Sequence, residues 1–116
     1  MKYMLLMYWD QSQPMQAPTP ETQQAEAKVW FDYLKEVKAA GVLLDNNGLS
    51  PAANATTVRV RNGKTLTADG PFAETHEQLG GYFILECKDL DEAIGWAAKI
   101  PAATNGSIEV RPTWQG

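Results

Sequence analysis

A chain of 116 residues is one domain's worth of sequence, long enough to bury roughly two thirds of its unfolded surface around a single core. Ten basic residues against fourteen acidic ones leave a net charge of −4, and the only basic cluster, Arg59, Arg61 and Lys64, is too small to track a phosphate backbone, which excludes nucleic acid as an expected partner. A single cysteine, Cys87, allows no internal disulfide and no thiolate cluster for a metal, and fits a reducing, cytoplasmic setting.

The apolar run Tyr3 to Trp9 stops at Asp10 with no small-residue cleavage site after it, so it reads as a buried strand and not as a signal peptide. No run approaches the about 20 apolar residues that cross a bilayer, so no membrane partner is expected. After the polar loop from Asp10 to Pro20, Thr19-Pro20-Glu21 supplies a capping hydroxyl, a proline at the first helical position and an early acid. The helix that follows runs to about Ala40, with Ala27, Trp30, Leu34 and Val37 at helical spacing, Phe31 beside them, and Gly41 placed to end it.

Val42-Leu43-Leu44 begins a second strand that dissolves into Asp45-Asn46-Asn47-Gly48. A hairpin comes next: Val58 and Val60 alternate with Arg59 and Arg61, Asn62-Gly63 makes the turn, and Lys64 to Thr67 returns. The segment Asp69-Gly70-Pro71-Phe72-Ala73-Glu74-Thr75 leads to an apolar strand over Gly81 to Cys87. Asp89 to Glu92 reads as a capping box for a second helix carrying Ala93, Ile94, Ala97 and Ala98, which Pro101 stops. Asn105-Gly106 turns the chain into a last strand, Ser107 to Arg111.

This order predicts one α+β domain over residues 1–116: a ferredoxin-like split βαβ arrangement with an inserted β-hairpin, two helices on one face of an antiparallel sheet. The first strand and Tyr82-Phe83-Ile84-Leu85 are apolar at odd and even positions alike, so both sheet faces want to be dry. Only two helices are available, which predicts sheet-on-sheet packing of a homodimer, a dimeric α/β barrel, with a small-molecule site between sheet and helix or at the subunit boundary.

The Asp69 to Thr75 segment is the leading candidate for that site. Gly70 permits a left-handed step, Pro71 fixes φ, and Phe72 offers an apolar anchor. Asp69 and Glu74 are the acid–base candidates; the competing reading has Asp69 locking its own turn and Glu74 capping a short helical turn over residues 73–78. Trp30 and Tyr82, with Tyr8 and Tyr33, would line an aromatic pocket if they are not simply core, while Arg59 or Arg111 would neutralise an anionic ligand. Trp9 and Trp114 are alternatives for a subunit interface.

The sole histidine, His76, sits between Thr75 and Glu77 and reads as exposed; with one histidine and scattered carboxylates no metal or other cofactor is expected. Ser50 and Ser107 have no evident base, Cys87 reads as strand core, and Gly80-Gly81 precedes a strand instead of opening a helix, so it is no phosphate loop.

The Asp69-Gly70-Pro71-Phe72 run resembles the signature of the DGPF subgroup of YCII-related proteins. Met1 to Leu6, Ala39 to Leu43, Thr57 to Lys64 and Gly106 to Pro112 are similar to the same subgroup, so the resemblance covers nearly the whole chain. It implies a dimeric ferredoxin-like α/β barrel with a pocket, in a group whose members mostly lack an established activity. Some relatives in the wider family are dehydrochlorinases of small aromatic compounds, with a His–Asp pair proposed as the active site. This chain carries Trp30 near the place of that histidine, Asp69 as the remaining acidic counterpart, and His76 where the subgroup usually has lysine, so the resemblance does not make His76 the missing partner. Two functions follow as expectations: a small-molecule pocket using Asp69, or a non-catalytic sensor acting on a protein partner, which the subgroup's frequent gene neighbourhood with alternative sigma factors encourages.

Overall fold

The computed structural model describes residues 1–12 and 19–114, so most of the loop expected between Asp10 and Pro20 lies outside the described residues. Its elements are β1 (Lys2–Asp10), α1 (Pro20–Ala39), β2 (Leu43–Gly48), β3 (Thr56–Arg61), β4 (Lys64–Asp69), β5 (Glu77–Glu86), α2 (Leu90–Ala98) and β6 (Ser107–Pro112). Thr19 starts α1 as expected: its Oγ1 accepts from the Thr22 N–H and Pro20 takes the first turn. Asp89 accepts from the Glu92 N–H to start α2, and Glu92 reaches back to the Lys88 N–H at 2.8 Å.

The main sheet has the order β2-β5-β1-β6 with every neighbouring pair antiparallel, the ferredoxin-like arrangement. Register sets the core, because Leu5 lies opposite Phe83 on one side and Val110 on the other. Strand parity then sends Tyr3, Leu5, Met7, Phe83 and Leu85 to one face, where they bury against Tyr33 and Val37 of α1 and Ala93 and Ala97 of α2. Tyr33 fits there because its phenol donates to the Trp96 carbonyl at 3.0 Å, and burial pushes its ionisation well above the usual tyrosine range. It belongs to the core, as does buried Cys87. The intervening residues, Met4, Leu6, Tyr8, Tyr82 and Ile84, are half-buried.

Several expectations change. On α1 the line facing the sheet is Trp30, Tyr33, Leu34 and Val37, whereas Ala27 is exposed and Phe31 is 65% exposed, one residue and so about 100° round from Trp30. On α2 it is Ala93 and Ala97 that bury, while Ile94 and Ala98 face out. Strand β2 does not dissolve at Asp45, since β5 continues to pair with it through Asn46, Asn47 and Gly48. The side chains of Asp45 and Asn47 meet Tyr82, whose hydroxyl donates to Asp45 and accepts from Asn47. Strand β5 begins at Glu77, four residues before Gly81, because the end of β1 pairs with Glu77, Gln78 and Leu79. For the same reason β4 runs to Asp69, which pairs with Thr56.

Strands β3 and β4 form a sheet of their own, closed by Asn62 and Gly63 with positive φ of 51° and 74°. Val58, Val60 and Leu66 on this arm are about half exposed or more. The arm helps to give a radius of gyration of 16.5 Å, against about 13 Å for a compact chain of this length. Among the described residues no helix is long and apolar enough to cross a membrane.

Candidate functional site

Four chain segments meet where the arm leaves the main sheet. They are Trp9 to Ser12 at the end of β1, Leu49 to Ala53 after β2, Asp69 to Pro71 after β4, and Glu74 to Gln78 leading into β5. Between them lies an open groove of about 970 Å³ with a floor of Trp9, Leu49, Pro51, Ala52 and Pro71. Its position follows from the topology, since the crossing connections to and from the inserted hairpin pass over the same end of β1 and β5.

The walls are fastened mainly by backbone. Gly70 takes a φ of +89°, a left-handed step that side-chain-bearing residues resist. Its N–H donates to the Ala55 carbonyl at 2.7 Å, and the Thr57 hydroxyl donates to the Gly70 carbonyl at 2.8 Å. Gln78 holds the opposite wall by donating to the carbonyls of Ala73 and Thr75. Gln11 ties two segments: its N–H donates to the His76 carbonyl and its side chain accepts from the Ala52 N–H. At the floor, the Trp9 indole lies so close over Gly80 that any Cβ there would overlap its six-membered ring.

Asp69 lines the groove, and among the described residues its carboxylate has no hydrogen-bond or ion-pair partner. The turn is locked by Thr57 and Gly70 instead, which corrects the competing reading of Asp69 as the lock. Glu74 also lines the groove, and residues 73–76 form no helical turn, so Glu74 caps no helix. Gly70 and Pro71 line the groove too, whereas Phe72 is 80% exposed and lies outside the groove lining.

The other candidates are elsewhere. Trp30 and Tyr82 line a second hollow of about 300 Å³ between α1 and the sheet, with Met7, Leu34 and Phe83; Trp30 stacks on Phe83 at 6.5 Å between ring centres. Trp9 borders both hollows. Arg59 is on the arm and Arg111 pairs with Glu109 on β6, and neither contributes to the groove or to the hollow.

Sequence reasoning passed over Asp10 and Ser12. Asp10 Oδ1 accepts from the Ser12 N–H at 2.8 Å and from the Ser12 hydroxyl at 2.5 Å. These two bonds, the side-chain one foremost, hold the Asp10 carboxyl below its ordinary range; desolvation opposes them and the charge of His76 assists. His76 Nδ1 lies 3.4 Å from the same Ser12 Oγ, so the sole histidine, exposed as expected, is also part of the groove wall. The signal was an Asp followed two residues later by Ser at a strand end, the pattern of a side-chain-closed turn. Among the described residues, no three His, Cys, Asp or Glu side chains converge as metal ligands would.

Comparison with known proteins adds a lineage. Over 66 residues, 55% of this chain, the sequence is 47% identical to an uncharacterized protein of Rhizobium meliloti (strain 1021), and the matched stretch spans about half of that relative, 53% of its length. The model of the YCII-related domain matches residues 1–115, essentially end to end. The chain belongs to the YCII-related family.

Proposed function

We propose that this YCII-related protein binds a small, largely apolar molecule in the groove bordered by Asp69, Gly70 and Pro71, with Asp69 available for acid–base work or for orienting the ligand. The observation that carries the reading is a carboxylate, unpartnered among the described residues, on the wall of an apolar-floored groove whose backbone is pinned on both sides. The charged lining residues are Asp10, Asp69 and Glu74, with His76 and no lysine or arginine, which favours a neutral ligand over the anionic one that Arg59 had suggested. The Asp69-Gly70-Pro71-Phe72 run supports membership of the DGPF subgroup.

The test is a nitrogen–proton correlation spectrum of the labelled protein titrated with nitroindole, a flat neutral probe. Shifts confined to Trp9, Leu49, Gly70 and His76 support the groove; shifts confined to Trp30 and Leu34 would move the site to the second hollow.

A second reading, a non-catalytic regulatory protein with a protein partner such as an alternative sigma factor, is favoured by the arm with its exposed Val58 and Val60 and by exposed Phe72. Homodimerisation through the half-buried sheet face of Met4, Leu6, Tyr8 and Ile84 is compatible with both. A chain that elutes as a monomer of about 13 kDa in gel filtration would refute the dimer.

A further inference from the structure

The hydrogen bonds around Ser12 distinguish the two nitrogens of His76. Asp10 is an ionised carboxylate and therefore accepts only; two donors from Ser12 already hold it in that state. The single proton of the Ser12 hydroxyl is committed to Asp10 at 2.5 Å, so toward His76 the Ser12 oxygen has only lone pairs to offer. At 3.4 Å from that oxygen, His76 Nδ1 is the ring nitrogen placed to donate, an arrangement that puts the lone pair of the neutral ring on Nε2. No described group bonds to Nε2. The ring sits on the wall of the groove, beside its apolar lining residues, where a base can meet a flat substrate.

From this geometry we propose that His76 is the proton-transferring base of the groove, acting through Nε2 on a neutral carbon or oxygen acid with an apolar body. Ser12 and Asp10 are its positioning residues. The inference rests on the groove proposed above as the ligand site. The surrounding charges fit the substrate class: Asp10 from β1, Asp69 from β4, and Glu74 and Glu77 beside the histidine in the chain are all acidic, no lysine or arginine lines the groove, and an anionic substrate would be repelled. In the step itself, Nε2 takes a proton from the substrate and the freed electron pair moves into the substrate's own π system. The imidazolium returns the proton to another substrate atom or to water, so no oxidant or second reactant is needed.

The sole histidine makes the test unambiguous. Nitrobenzisoxazole is a neutral, flat carbon acid: when a base removes its ring proton, the C–H pair becomes part of a nitrile, the N–O bond breaks and the oxygen leaves as a coloured phenolate. The wild-type protein is expected to accelerate this reaction about 100-fold over His76→Gln. Nitrogen NMR of the ring is expected to find Nδ1 protonated in the wild type. In Ser12→Ala and Asp10→Asn the protonated nitrogen changes and kcat falls while KM holds.

A His76→Gln variant as fast as the wild type, or a wild-type ring protonated on Nε2, overturns the proposal. If nitroindole still shifts the groove resonances in that case, the ligand site survives and only the histidine's role falls. If nitroindole binds elsewhere, both fall together.

Discussion

Gly80 and Gly95 invite the same substitution with opposite outcomes. A Cβ on Gly80 would overlap Cη2 and Cζ2 of the Trp9 ring and sit 2.6 Å from Cε2. Favourable carbon contacts begin near 3.5 Å, so the ring must retreat by about 1 Å. Trp9 is rigid and borders both the groove and the hollow beneath α1, so the displacement is passed to both. Overpacking of this kind costs about 1–3 kcal/mol. Gly95 lies within α2, has no atom within 4 Å of a built Cβ and has no left-handed φ. Alanine there removes unfolded-state freedom without strain and is worth about 0.5–1 kcal/mol. Urea denaturation reads both, with thermal midpoints moving about 4 °C per kcal/mol at this chain length. The Trp9 indole N–H resonance should shift in Gly80→Ala and stay fixed in Gly95→Ala. A Gly80→Ala protein as stable as the wild type, with that resonance unmoved, would refute the placement of Trp9 and with it the floor of the groove.

Asp69→Asn is expected to leave stability within about 0.5 kcal/mol of the wild type, because among the described residues the carboxylate has no bonding partner, while turnover of any substrate that uses Asp69 is abolished. A loss beyond that in urea denaturation would return Asp69 to a structural role. Thr57→Val removes the donor to the Gly70 carbonyl and should cost about 1 kcal/mol, with amide exchange quickening first in residues 69–71. Tyr33→Phe tests the core from the alkaline side. The folded tyrosine ionises above the ordinary value of about 10, so its contribution is complete below that pH and drains away as pH rises beyond it. The wild type should therefore lose stability more steeply than Tyr33→Phe on going above pH of about 10; parallel curves would contradict the buried phenol.

What could be read from the sequence was whatever depends on local chemistry. The Thr19-Pro20 start, the Asp89 box and the Asn62-Gly63 turn are each decided by neighbours within a few residues, and all three form. The two strands that are apolar at odd and even positions alike, β1 and β5, are the central pair of the sheet. Strand limits depended on partners far along the chain: Asn46 and Asn47 are poor strand formers, yet β5 supplies their pairing, and Asp69 is held in β4 by Thr56. The site was legible in part for the same reason. The Gly70 step and Asp69 beside it are local, but the approach of Ser12 to His76, 64 positions apart, is created by the pairing of β1 with the start of β5. Residue type alone also could not separate Trp30 from the groove, since the two hollows share Trp9 as a wall.

The most direct measurement is a crystal structure of the protein with nitroindole bound. The account predicts the ring lying on Trp9, Leu49 and Pro71, within reach of His76 and the Asp69 carboxylate. A probe seated beneath Trp30 and Leu34, with the groove empty, would contradict it.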